Sequence, residues 1–185
     1  MHDIEIIQNI QAGKTNEFKR LVEKHQSIVF RTALGFVHIK EDAEDLTQEV
    51  FIRVFQSLNS FQRNSEFSTW LYRITVNICL NHLNKNKGRG IIQFAEDIMQ
   101  SLFNKAGENR NPVEELIETE RETAIRDAID SLPEKQRTAF VLSKYDELSQ
   151  KEIAQIMQIS EGAVEQHLQR GKINLQKKLG QLIGK

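Results

Sequence analysis

The chain is poor in the residues that staple, kink or turn a backbone, and each shortage excludes something. It has 1 Cys, 2 Pro and 9 Gly in 185 residues. A single thiol, Cys79, cannot form an internal disulfide framework and suits a reducing compartment, so a cytoplasmic protein is expected. So few prolines and glycines argue against an all-β fold with many tight turns. No stretch of about 18 apolar residues is present, so neither a spanning helix nor direct membrane insertion is expected. The opening MHDIEIIQNIQ has no basic segment leading into an apolar run, and no signal peptide is expected there. What remains is 39% hydrophobic and 28% charged, too apolar for a disordered chain. The expectation is an all-α protein of one ordinary domain or two small ones.

The net charge of −1 hides a partition. Residues 1–90 carry 12 Lys+Arg against 10 Asp+Glu, residues 91–130 carry 4 against 10, and residues 131–185 carry 9 against 6. Two mildly basic ends flank an acidic middle, a distribution compatible with nucleic-acid partners but too weak to identify them. Apolar residues recur at helical spacing from Phe18 through Leu21, Val22, His25, Val29 and Ala33 to Phe36, with Thr15 and Asn16 as candidate caps. A second helix is predicted from about Asp42 to Leu58, burying Ala43, Leu46, Val50 and Val54 and turning Asp42, Asp45, Gln48 and Glu49 outward. A third is predicted from Ser68 to about Asn84. The stretch from Lys87 to Pro112 opens on KGRG and closes on AGENRNP, and reads as a linker around an apolar patch from Ile91 to Phe103. Helical periodicity then resumes from Val113 to Ile129, and Pro133 suits the first turn of another helix. This gives two small helical domains, 1–90 and 113–185, joined by a linker at 91–112.

Two local patterns carry chemistry. Ser149 and Glu152 have capping-box spacing, followed by a short apolar face (Ile153, Ala154, Met157), a tight connection at Gln158 and Ile159, and a longer helix capped by Ser160. Val164, Leu168, Leu175 and Leu179 face inward along it. A short helix, a brief turn and a longer basic-tailed helix form a helix-turn-helix, whose second helix enters the DNA major groove. Its outward face would present Glu161, Glu165, Gln166, Gln169 and Arg170, flanked by His167 and Lys172, with Lys177 and Lys178 near phosphates. Separately, Trp70, Arg73, Asn77, Asn81 and Asn84 fall on one stripe of the third helix. Asparagine costs about 0.5 kcal/mol per helical position relative to alanine. Amides beside an aromatic suit unstacked bases, although a merely solvated polar face would look similar.

Four stretches together resemble an extracytoplasmic-function (ECF) sigma factor of the sigma-70 superfamily. They are Asp42-Ala-Glu-Asp-Leu-Thr-Gln-Glu-Val-Phe51, Phe67-Ser-Thr-Trp-Leu-Tyr-Arg-Ile-Thr-Val-Asn77, Leu132-Pro-Glu-Lys-Gln-Arg137, and the helix-turn-helix from Leu148 onward. The resemblance implies a transcription initiation factor with core RNA polymerase and promoter DNA as partners, and an anti-sigma factor as antagonist. It implies no catalysis, cofactor, metal or small-molecule substrate. By the same resemblance, Asp45, Gln48 and Glu49 match positions that grip the polymerase clamp. Phe61, Arg63 and Asn64 lie in the loop that pockets a flipped base of the −10 element, and Asn77 matches the position that reads it. Trp70, Arg73 and Asn81 extend that surface. The −35 surface would comprise Ser160, Glu165, Gln166, His167, Arg170 and Lys172. Glu165, Gln166, His167 and Gly171 depart from the family pattern, so no preferred promoter sequence follows. The family places the linker in polymerase channels; folding back onto one of the domains is the alternative.

Other patterns lead nowhere. Gly13-Lys14-Thr15 mimics the end of a phosphate-binding loop, but Gln8 stands where that loop needs glycine. Cys79 and His82 have ligand-like spacing without a second pair to complete a zinc site. A stand-alone helix-turn-helix regulator would have no use for an acidic clamp-binding face, and a non-DNA adaptor none for a basic helix-turn-helix.

Overall fold

A computed structural model describes the backbone of residues 2–103 and 113–183, and the side chains of residues 2–85 and 121–181. Eight α-helices follow one another among them: α1 (Asp3–Gln11), α2 (Phe18–Val37), α3 (Lys40–Ser57), α4 (Phe67–Phe103), α5 (Val113–Asp130), α6 (Glu134–Lys144), α7 (Gln150–Met157) and α8 (Glu161–Ile183). Single 3-10 turns precede α2 (Thr15–Glu17) and follow α3 (Leu58–Ser60).

Helix α1 departs from the sequence expectation, which begins its first helix at Phe18. Nine residues are too few for an isolated helix, since nucleation is costly and short helices need tertiary support. Support comes from Ile6, Ile7 and Ile10, all buried, and from Asp3, which sits 2.5 Å from Lys24 Nζ and 3.1 Å from His25 Nε2 on α2. Gly13, at φ +95°, makes the turn out of α1, so the Gly-Lys-Thr triplet belongs to that turn. The expected caps Thr15 and Asn16 lie instead within the 3-10 turn. Helix α4 also differs, continuing past Asn84 to Phe103 through what reads as the start of a linker. Glycines at 88 and 90 each weaken a helix by about 1 kcal/mol, but no proline interrupts it before Pro112. The linker carboxylates Glu96 and Asp97, the patch from Ile91 to Phe103, and Glu108 lie outside the described side chains.

Two apolar cores form. The first joins Ile6, Ile7 and Ile10 of α1, Leu21 and Val29 of α2, Val50, Phe51 and Val54 of α3, and Phe61, Phe67 and Leu71 around the start of α4. The second is shared between the two halves of the chain. Phe36 and Val37 of α2, Leu46 of α3, and Tyr72, Val76 and Cys79 of α4 meet Val141 and Leu142 of α6, Ile153 and Ile156 of α7, and Val164 of α8. The halves are therefore packed face to face. Binary patterning marks residues 36, 37, 72, 76 and 79 as buried, but it does not say against which partner.

Gly35 makes this approach possible. A Cβ there would lie 2.9 Å from Val141 Cγ1 and 3.1 Å from Tyr145 Cγ, inside van der Waals contact. Polar groups cross the same boundary. Asp146, its side chain fully buried, accepts from Arg31 Nε at 2.9 Å and from Thr32 Oγ1 at 2.8 Å. Arg137, also buried, donates to the Phe36 carbonyl and to Asp130.

Candidate nucleic-acid interface

Three surfaces arise from this framework. On α3, burial of Ala43, Leu46 and Val50 turns Asp45, Gln48 and Glu49 to solvent. Asp45 and Glu49 stand one turn apart, so a basic partner can meet both. Beside them runs an apolar groove of about 620 Å³ lined by Phe18, Val22, Phe51, Ile52 and Phe55, with Gln48 on its wall. Ile52 is 58% exposed and Phe55 46% exposed. Sequence reasoning passed over these two, although apolar residues off the buried stripe of an amphipathic helix were the available signal.

The second surface is the start of α4 with the loop before it. Arg63 holds this loop in a left-handed conformation at φ +58°, and Gln62, Arg63 and Asn64 are exposed at its tip. Phe61 is not. It is 7% exposed, packed edge-on to Phe67 at 5.9 Å and tilted against Trp70 at 5.2 Å. An aromatic this deep cannot itself offer a pocket to a base; it forms the floor beneath the loop. Trp70 is half-buried above it, and Asn77 and Asn81 are exposed. Asn77 lies on the rim of two clefts. One, of about 480 Å³, includes Arg53, Trp70 and Asn81; the other, of about 470 Å³, includes Arg73, Glu134 and Ile159.

The expected stripe is thus only partly free. Arg73 Nη2 donates to the Gln155 carbonyl on α7 at 2.7 Å, and Asn84 Nδ2 donates to Glu134 Oε1 on α6 at 2.9 Å.

The third surface is the helix-turn-helix, built as its sequence suggests. Ser149 Oγ accepts from the Glu152 amide at 3.3 Å, and Glu152 Oε2 accepts from the Ser149 amide at 2.9 Å. The Ser149 hydroxyl and amide hold the Glu152 carboxyl below its usual value. Gln158 takes a left-handed conformation at φ +56° and ends α7. Ser160 Oγ then accepts from the Ala163 amide at 3.2 Å and starts α8. Ser160 therefore has a capping duty whatever else it touches. With Val164 buried, Glu165, Gln166, Arg170 and Lys172 face solvent, while His167 is half-buried with an unpartnered Nδ1.

Burial sets the titrations of the core groups. Desolvation pushes the Tyr72 phenol and the Cys79 thiol up to about 12 each, so Cys79 is an inert core residue. Burial lowers Arg137, against the pull of Asp130. Burial raises Asp146 despite its bonds from Thr32 and Arg31. Among the described residues no three His, Cys, Asp or Glu side chains converge on a metal position, and no helix is long and apolar enough to cross a membrane.

Comparison with known proteins agrees with this layout. Residues 21–89 match the family Sigma-70 region 2, and residues 122–175 match Sigma-70, region 4. The RNA polymerase sigma-H factor of Pseudomonas aeruginosa is 32% identical over 184 residues, covering 98% of this chain and 95% of the relative. The ECF RNA polymerase sigma factor SigW of Bacillus subtilis is 30% identical, covering 95% and 96%. The ECF RNA polymerase sigma-E factor of Escherichia coli K12 is 33% identical, covering 96% and 94%. Among solved structures, CnrH in complex with the cytosolic domain of CnrY shares the fold at a TM-score of 0.65 and 21% identity, covering 96% of both chains. The sigma factor RpoE bound to the anti-sigma factor NepR from Bartonella quintana does so at 0.57 and 20%, covering 88% and 96%. With both sigma-70 regions matched in order and full-length relatives above 30% identity, the chain belongs to the ECF group of the sigma-70 family, promoter-specific initiation factors that work with RNA polymerase.

Proposed function

We propose that the three surfaces divide the work of initiation. The α3 edge, through Asp45, Gln48 and Glu49, grips a basic element of core polymerase, and Ile52 and Phe55 add apolar contact beside it. The loop and stripe of α4 hold the unpaired −10 strand: Arg63 and Asn64 from the loop tip, Asn77 and Asn81 as base-reading amides, Arg73 on phosphate, and Phe61 with Trp70 as the aromatic floor. Capturing unpaired bases offsets an unstacking cost of a few kcal/mol. The helix-turn-helix reads −35, with Glu165, Gln166 and His167 toward bases, Arg170 and Lys172 toward phosphates, and Ser160 setting the helix start. The protein acts in the cytoplasm, without cofactor or small-molecule substrate. It is restrained by a protein antagonist, as its fold relative from Bartonella quintana is bound by NepR.

The observation that supports this reading best is the pairing of an exposed acidic edge on α3 with an exposed amide stripe on the adjoining α4, in a chain that also carries a capped helix-turn-helix. Run-off transcription by purified core polymerase, with and without the chain, tests it. Asp45→Lys with Glu49→Lys should abolish polymerase association while thermal stability holds, because exposed charges contribute little to folding. Asn77→Ala should keep polymerase association and reduce permanganate reactivity of unpaired thymines. Alanine raises helix propensity, so that loss would not reflect unfolding. Wild-type association by the double variant, or unchanged reactivity in Asn77→Ala, would remove the corresponding assignment.

A further inference from the structure

Helix α1 has no part in any of the three surfaces, yet it is firmly anchored. Ile6, Ile7 and Ile10 share a core with Leu58, Phe61 and Phe67, and Asp3 is tied to Lys24 and His25. Its polar residues reach the loop that precedes α4. Gln11 Nε2 donates to the Leu58 carbonyl at 3.0 Å, 47 residues away in sequence. The same carbonyl accepts from the Phe61 amide at 3.2 Å, so the turn from which the loop departs is held by α1 as well as by itself. Gln8 lies three residues before Gln11, where side chains on a helix surface are neighbours. Its side-chain oxygen accepts from Arg63 Nη1 and Nη2, each at 3.2 Å. The opposite amide orientation would set N–H against N–H.

We propose that α1 is a brace for the −10 loop, and that Gln8 and Gln11 are positioning residues for base selection by that loop. This rests on the reading of the loop given above. Gln11 fixes where the loop begins, and Gln8 fixes the direction of the arginine at its tip. Neither residue touches the base. The glutamine that excludes a phosphate-binding loop ahead of Gly13-Lys14-Thr15 thus has a use of its own.

Arg63 needs such a partner. Its backbone sits at φ +58°, a region that arginine seldom occupies and that persists where the surroundings over-determine it. Burial does not supply the constraint, because Gln62, Arg63 and Asn64 are all exposed. The bond at the loop tip, from Asn64 Nδ2 to Gln62 Oε1 at 3.3 Å, bypasses Arg63. Gln8 is therefore what orients the guanidinium. Of the five guanidinium N–H groups, Gln8 takes two. The others are left for a paired contact to an unpaired base.

The brace acts on selection more than on stability. A bond between two exposed side chains adds little to folding. Its effect appears when the strand arrives. A long side chain already held in one direction loses less freedom on making its contact. A base that fits that direction gains from the order already present, and a base that needs another direction does not. Loss of the brace should therefore flatten the preference at the position the loop takes, and leave the other −10 positions as they were.

The test uses the full chain assembled with core polymerase, and a pool of promoters randomised at both elements. Heparin-resistant complexes are recovered and their DNA is sequenced, giving a base preference at each position. Gln8→Ala and Gln11→Ala should each lower the preference at one −10 position by about threefold to tenfold. Thermal melting and polymerase association should match wild type. Gln8→Glu keeps an acceptor for Arg63 and should restore the profile. Arg63→Ala should flatten the same position, and adding Gln8→Ala to it should change nothing further, because the two act as one unit. Wild-type profiles in both glutamine variants, with Arg63→Ala still flattened, would overturn the brace and leave the loop reading intact. An equal weakening at every position would also overturn it, as a merely structural role. A wild-type profile in Arg63→Ala would remove the loop reading, and the brace with it.

Discussion

The two apolar cores differ in what accompanies the hydrocarbon. Around Leu21, Val50, Val54 and Leu71 the packing within the N-terminal half is closed by further apolar groups, chiefly the aromatic contacts of Phe61, Phe67 and Trp70. Its conspicuous polar member, His25, is tied to Asp3 at the margin. Where the halves meet, an aspartate and an arginine are buried as well, Asp146 bonded to Arg31 and Thr32 and Arg137 to the Phe36 carbonyl. The first arrangement holds a domain together. The second fixes an orientation at a reduced net gain.

The largest expected effect comes from truncating the first core. Leu21 is fully buried, so Leu21→Ala should remove about 2–5 kcal/mol from denaturant unfolding of the N-terminal half. Loss of less than about 1 kcal/mol would erase the contrast between the cores. Asp146→Ala should act far more weakly. Its partner Arg31 keeps 49% of its side chain exposed, and Thr32 Oγ1 also lies 2.9 Å from the Ile28 carbonyl, so no stranded buried charge is left behind. A net loss of about 1 kcal/mol is expected, confined to hydrogen-exchange protection in α6 and α7.

The smallest effects separate the two regions by sign. Burial raises Asp146, which faces Arg31 on α2 and Tyr72 on α4. Its contribution is complete below its ordinary value of 3.8 and is lost as pH rises through its raised folded value, so mild acid should slow exchange in α6. Burial also pushes Asp3 upward, but its bonds from Lys24 and His25 outweigh this and leave it below its ordinary 3.8. That contribution is present above 3.8 and lost as pH falls through the lowered folded value. Acid should therefore loosen α1 while it tightens the seam, and backbone exchange measured across that range would show whether the two move oppositely.

Local chemistry was legible in the chain. The Ser149–Glu152 box and the Ser160 cap form as spacing suggests, because caps depend on neighbours three residues away. The exposed edge of α3 follows from its buried stripe for the same reason. What was not legible depends on remote partners. Helix α1 forms only because α2 receives Ile6, Ile7 and Ile10. His38 and Gln158 take left-handed conformations without being glycine, so no glycine marks these helix ends. Phe61 looks like a loop residue until Phe67 and Trp70 close around it. The shared seam left one trace, Gly35 in the last turn of α2, where a Cβ would crowd Val141 and Tyr145.

The acceptor for Arg73 is a main-chain oxygen, and so is one of the two acceptors for Arg137. Replacing the side chain at Gln155 or Phe36 leaves those oxygens in place. Variation in the side chains of these two acceptor residues therefore has little direct leverage over the two bonds. By contrast, one change at Arg73 removes a bond across the seam and, by the assignment above, a phosphate contact together. A screen scored on transcription alone would record the sum of a gain and a loss at that position, and could pass over the residue that couples them.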